Sequence, residues 1–152
     1  MRYVLIDRIT ALVPGQSLAA IKHVSHGDDL VTCYAAGLSA LPGAMLLEAM
    51  AQAAGLLVAA TIVTPAQPVL AKVQPFTAYG DARPGDSVAI RVELEEIRSE
   101  GCRARVAASI DDRPLADATI YLALVPLDEG GADSRAAVLR AALADTFPAW
   151  FS

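Results

Sequence analysis

This chain has 152 residues, 55% of them hydrophobic and only 5% aromatic, so it is about one domain whose core must be built from Ala, Val, Leu and Ile. A hydrophobic share above the usual range calls for a buried helix or an obligate subunit interface. The net charge of −5 and the lack of a basic run argue against nucleic acid as the main partner.

The opening MRYVLIDRIT already carries Asp7 and Arg8 and has no extended apolar core or cleavage site, so a cytoplasmic protein is expected. Cys33 and Cys102 suit reduced thiols better than a disulfide framework. The β-branched run from Val4 to Val13 predicts a strand closed by the Pro14-Gly15 turn, and Ser17 to Val24 predicts its hairpin partner. Gly27, Asp28 and Asp29 end regular structure, and the small residues from Leu30 to Leu41 predict a loop.

Leu41 to Thr64 follows, apolar almost all round, which predicts a buried helix. Pro42 falls in its first turn, where proline is tolerated, beside Gly43. Thr64-Pro65-Ala66-Gln67-Pro68 stops it. The stretch is long enough to span a membrane, but a mid-span glutamate would cost roughly 2.5–3.5 kcal/mol. No Lys or Arg lies close to either end as an anchor, so no membrane insertion is expected. Glu48 and Gln52 are its two strongly polar side chains, and their i,i+4 spacing stacks them within hydrogen-bonding reach. A buried carboxylate is costly unless paired or neutralised, so Glu48 either has a structural partner or is held for chemistry.

The second half reads as sheet. Val69 to Val73 is a short apolar run, and Arg83-Pro84-Gly85-Asp86 is a turn. Val88, Ile90, Val92 and Leu94 then alternate with Ala89, Arg91, Glu93 and Glu95. Cys102 to Ile110 alternates again, and Leu115 to Val125 is a third long strand, so short turns join the three into an antiparallel meander. Asp128-Glu129-Gly130-Gly131 ends this domain, dividing residues 1–127 from a linker and helical tail over 128–152. In the tail Ser134 caps a helix expected over Arg135 to Asp145, Pro148 stops it, and Trp150-Phe151 can dock on the body or on a partner. One buried helix and roughly five antiparallel strands predict an α+β fold in which the sheet wraps the helix.

Leu41-Pro42-Gly43 followed by Leu47-Glu48-Ala49-Met50-Ala51-Gln52 resembles the central-helix motif of the β-hydroxyacyl-acyl-carrier-protein dehydratases of the hot-dog fold. Val4-Leu5-Ile6-Asp7-Arg8, Ala20-Ile21-Lys22-His23-Val24-Ser25 and Arg83-Pro84-Gly85-Asp86 extend the similarity in order and spacing over residues 3–125. The resemblance implies removal of water from a 3-hydroxyacyl thioester carried on acyl carrier protein, in fatty-acid or polyketide-type synthesis. In that family a histidine takes the C2 proton, and a Glu or Asp on the helix of the other subunit helps the hydroxyl leave. A backbone N–H at the helix start polarises the thioester carbonyl. By position, Glu48 is the helix acid, Gln52 its supporting neighbour and Gly43 the N–H donor.

One position departs from the pattern. The family's histidine lies in an HFPG segment fourteen residues before the helix acid, where this chain has Tyr34 in Tyr34-Ala35-Ala36-Gly37. A phenol of pKa about 10 is a poor proton acceptor at neutral pH. Three readings stay open: an enzyme in which Tyr34 or His26 stands in for the histidine, a pseudoenzyme subunit that lends Glu48 to a histidine-bearing paralogue, and an acyl-binding or thioesterase-like module. A homodimer or heterodimer is expected in the first two. His23 and His26 form an HxxH spacing without a third ligand nearby, and Gly37 to Gly43 lacks a phosphate-cradling pattern, so neither metal nor cofactor is expected. Cys33 carries no sign of an activating partner and reads as an inert thiol.

Overall fold

Period-two patterning decides most of the architecture. The computed structural model describes residues 4–28, 31–35, 38–127, 144–145 and 148–151, with 32–35, 38, 150 and 151 as backbone only. In chain order the elements are β1 (Arg8–Val13), β2 (Ser17–His23), β3 (Thr32–Ala35), β4 (Leu38–Ala40), α1 (Gly43–Thr61), β5 (Ala66–Ala78), β6 (Ser87–Ile97), β7 (Gly101–Ile110) and β8 (Arg113–Pro126), and a short α2 (Pro148–Phe151) lies near the end. Six strands form one antiparallel sheet in the order β1-β2-β6-β7-β8-β5, and β3 pairs with β4 as a separate hairpin. One residue of each pair faces α1: Leu18 and Ala20 on β2, Val88, Ile90 and Val92 on β6, Ala104 and Val106 on β7, Ala118 and Ile120 on β8. The β7–β8 turn places Asp111 and Asp112 at φ 48° and 63°, the pair of left-handed residues that a two-residue hairpin of matching twist requires.

Helix α1 lies against this face. Ala49, Met50, Ala53, Ala54, Leu57 and Val58 are completely buried. By length and composition alone the helix could cross a membrane, but one side of it is buried in the protein's own core. Small residues are numerous on both sides of this layer, among them Ala49, Ala53 and Ala54 on the helix and Ala104 and Ala118 on the strands, which lets helix and strands approach closely. Fully burying each larger side chain, such as Leu57 or Ile120, contributes about 1.5–3 kcal/mol.

Several expectations need correction. Residues 4–7 precede β1 rather than belonging to it: Asp7 N–H still donates to Ile21 O at 2.9 Å, but Leu5 N–H turns to a side chain of α1. The expected loop from Leu30 to Leu41 contains the β3–β4 hairpin, whose runs of four and three residues are too short to show a period. Helix α1 stops at Thr61 rather than Thr64. Ile62 is already extended, since β-branched residues lead into Pro65 and the residue before proline disfavours helix. Thr61 closes the end by donating its hydroxyl to Leu57 O at 2.6 Å and accepting Gly15 N–H at 2.8 Å. The short run Val69–Val73 is the middle of the 13-residue β5. Pro68 and Pro75 fit inside it because β5 is an edge strand and its register slips between Val73 and Phe76.

The tail helix expected over Arg135 to Asp145 lies outside the described residues except at 144–145, which are helical. Cys33 is outside them as regards its side chain.

Two features of β7 make checkable predictions. A Cβ on Gly101 would sit 2.7 Å from Leu122 O, a backbone atom that cannot swing away. Gly101→Val is therefore expected to destabilise the fold by about 1–3 kcal/mol, read as a lower denaturant midpoint at unchanged slope. Cys102 is a free, buried thiol whose pKa is raised by desolvation, against a smaller opposing hydrogen bond with the Leu122 backbone. Folding favours its protonated form, so this contribution to stability is complete below the thiol's unfolded pKa and is lost as pH rises through the higher folded value. Iodoacetamide at pH 8 should label Cys102 far more slowly in the native protein than in denaturant.

Candidate active site

Because the sheet covers one side of α1, the side chains of its other side are left largely uncovered among the described residues. Gly43, Ala44 and Glu48 are exposed, and Met45, Leu47, Gln52 and Gly55 are partly so. Glu48 is therefore not a buried carboxylate. Composition made the helix look buried all round, but its own sheet encloses less than the full circumference.

The structure brings Glu48 and Gln52 together as their spacing requires. Gln52 Nε2 donates to Glu48 Oε1 at 3.1 Å, and Gln52 Oε1 accepts the backbone N–H of Leu5 at 2.8 Å. The second bond fixes the first. An N–H aimed at the amide demands its oxygen, so the NH₂ must turn toward Glu48. Glu48 Oε1 is held as an acceptor, and a proton carried by this carboxyl belongs on Oε2. Residue 5 could not be picked out from the sequence, since the contact is made by backbone.

Gly43 is the first residue of α1. Pro42 precedes it at the cap position rather than inside the first turn, and no side chain caps the helix. Pro42 O accepts from Met45 N and Leu46 N at 2.8 and 3.0 Å. A Cβ on Gly43 would meet nothing within 4 Å among the described residues, so the start of α1 is open at this position. A helix start with open access and no acidic side chain in its first turn is suited to partial negative charge on a ligand oxygen.

Tyr34 lies in β3, and its side chain is outside the described residues. Its backbone position is informative. Cys33 pairs with Ser39 and Ala35 with Leu38, so Tyr34 is the extra residue of a bulge. Bulges recur beside active sites, where they re-aim a side chain. The β3–β4 hairpin feeds α1 through Leu41, whose N–H is tied to Ala82 O at 2.8 Å.

The two histidines are apart from this face in their bonding. His23 Nδ1 lies 2.9 Å from Ser87 Oγ on the exposed side of β2 and β6, and His26 is exposed in the following turn. Among the described residues no three His, Cys, Asp or Glu side chains converge as metal ligands. The residue that sequence reasoning passed over is Lys22, the one buried charged side chain among the described residues. Its signal was present. Leu18, Ala20, Lys22 and Val24 are all inward positions of a period-two strand, and a lysine there breaks the apolar pattern.

An antiparallel six-stranded sheet packed on one long helix, with a carboxylate on the helix's open side, defines a hot-dog fold of the kind shared by dehydratases and thioesterases. Residues 1–119 match the FabA-like domain, and the chain belongs to that family. It is 35% identical over 130 residues to the 3-hydroxyacyl-(acyl-carrier-protein) dehydratase FabZ of Symbiobacterium thermophilum, which covers 81% of this chain and 87% of the relative. It is 32% identical over 136 residues to the protein of the same name from Bordetella pertussis, covering 82% and 87%. Among solved structures, a Streptococcus mutans protein bound to acetyl CoA superposes with a TM-score of 0.68 over 83% of this chain and 93% of its own, at 14% identity. A hypothetical thioesterase protein with coenzyme A from Streptococcus pneumoniae gives 0.65 over 78% and 88%, at 15% identity. At such identities the likeness is one of fold alone.

Proposed function

We propose that this protein acts on 3-hydroxyacyl thioesters of acyl carrier protein, as a cytoplasmic dehydratase-family subunit that lends Glu48 to a histidine-bearing partner of the same fold. The observation that carries this is the asymmetry of the site. The helix side is built, with Glu48 held by Gln52 and Gln52 held by Leu5 N–H, whereas the loop side has Tyr34 where the family has its base. Residues 1–127 would form the working domain and 128–152 a linker and tail.

The chemistry follows from the atoms in hand. A base on the partner removes the C2 proton of the substrate. Charge then develops on the thioester oxygen, where the N–H groups at Gly43 can stabilise it. Glu48 delivers the proton on Oε2 to the C3 hydroxyl, which leaves as water as the C2–C3 double bond forms; the partner's base then gives up the C2 proton to solvent, and solvent reprotonates the Glu48 carboxylate. Two features support a second chain. Glu48 is exposed on an uncovered helix side that retains Met45 and Leu47, and β5 is a 13-residue edge strand with Val69 and Leu70 exposed. A long unpaired edge is a ready template for another strand.

Co-purification with a histidine-bearing paralogue, followed by dehydration assays of each protein alone and of the mixture, tests the reading. Activity only in the mixture is expected. Full activity of this chain alone would instead favour Tyr34 or His26 as the base. Sedimentation at micromolar concentration should show a dimer, and a 15.8 kDa monomer that ignores the paralogue would remove the shared site. A second reading, an acyl-thioester-binding or thioesterase-like module, draws on the same Tyr34: without a base at that position, binding needs no dehydration.

A further inference from the structure

Lys22 points inward from β2, 7% exposed, at the rim of an aliphatic core. Its Nζ lies 3.0 Å from Asp28 Oδ2 and 3.8 Å from Asp7 Oδ2. Asp7 Oδ2 also accepts the His23 backbone N–H at 2.6 Å. The ammonium thus ties the turn that leads to β3, which has no ladder to β2, to a point where stretch 4–7 is already fastened to β2 by Asp7 N–H to Ile21 O at 2.9 Å.

Packing does not ask for a charge here. An aliphatic residue at an inward strand position fills the core as well, and replacing a buried ion pair by apolar side chains is often neutral or stabilising. What the pair adds is register. Asp28 is the pivot of its turn, donating N–H to Ser25 O at 3.2 Å and accepting Val31 N–H at 2.9 Å. Val31 is the residue before β3, and β3 carries the bulged position 34. The stretch 4–7 meanwhile holds Gln52, and through it Glu48, by Leu5 N–H. Loop side and helix side are therefore both referred to the same ammonium, one through Asp28 and the other through Asp7.

We propose that Lys22 is a positioning residue which, by clasping Asp28 and Asp7, fixes the approach to β3 relative to Glu48. The inference rests on the proposed function only for its catalytic consequence. The clasp itself can be tested without any substrate.

The experiment compares Lys22→Met, which keeps the stem and removes the charge, with Lys22→Arg and Asp28→Asn. Hydrogen exchange of the full chain is followed by mass spectrometry. For Lys22→Met and Asp28→Asn, exchange in peptides covering Val31 and β3 should accelerate at least tenfold while β6, β7 and β8 stay within twofold of the parent. Lys22→Arg should restore most of the protection. Uniform acceleration in every strand, or no change at β3, or an arginine variant no better than methionine, would overturn the proposal. If the mixed complex dehydrates substrate, Lys22→Met should lower kcat with KM within twofold, and an unchanged kcat would count against the clasp. If no complex dehydrates, the proposed function falls and the exchange result still decides the role of Lys22.

Discussion

Glu48→Gln is expected to abolish dehydration by the mixed complex, with a loss of about 10²–10⁴ in kcat and no loss of assembly. The amide is nearly isosteric, so the side chain can keep its place beside Gln52, whose NH₂ donates to Oε1 at 3.1 Å. It cannot deliver a proton from the position of Oε2. Because Glu48 is exposed in the single chain, the substitution leaves no buried group unpaired and stability should change little. Steady-state assays of the reconstituted pair, with assembly checked by sedimentation, measure both halves. A mixed complex that keeps full activity would mean that Glu48 is not the acid, and the acyl-binding reading would then be preferred.

Tyr34→His is the complementary gain-of-function change. It places an imidazole, with a pKa near operating pH, at the bulged position of β3. An isolated homodimer would then contain both a base and Glu48, and activity on a 3-hydroxyacyl thioester should rise by up to ~10²–10⁴ over the parent chain. The rate should increase with pH through the imidazole pKa, since the base must be unprotonated to accept the C2 proton. No gain at any pH would show that an imidazole at position 34, followed by Ala35-Ala36-Gly37, is not placed to act as the base.

Which parts of this molecule could be read from sequence follows a physical line. Strands β6, β7 and β8 were legible because each has one wet and one dry face, and the side chains record it. Helix α1 was legible from its length and its stop, though not its last turn, where Thr61 trades helical continuation for a bond to Gly15. Strand β5 was hidden by Pro68 and Pro75, which are tolerable only at an edge, and being an edge is a property of the whole sheet. The Glu48–Gln52 pair was legible from spacing, but its exposure was not, because composition does not say which neighbour covers a face. The anchor at Leu5 is a backbone amide, and any residue but proline would supply it. Lys22 was legible as a charge among inward positions, but its two carboxylate partners lie on separate segments that spacing alone does not bring together.

The alanines between α1 and the sheet have a consequence for the site in terms of freedom. Ala49, Ala53 and Ala54 on the helix and Ala104 and Ala118 on the strands are almost wholly buried. Alanine has no χ angle, so this seam surrenders almost no rotamer entropy on folding and keeps none with which to yield afterwards. A leucine could absorb an extra methyl by swinging its side chain, but an alanine cannot, so whatever strain neighbours such as Met50 and Leu57 do not take up passes to the helix axis. Glu48 rides on that helix. A single enlargement such as Ala53→Val, far from any reacting atom, would thus be felt as a displacement of the carboxylate.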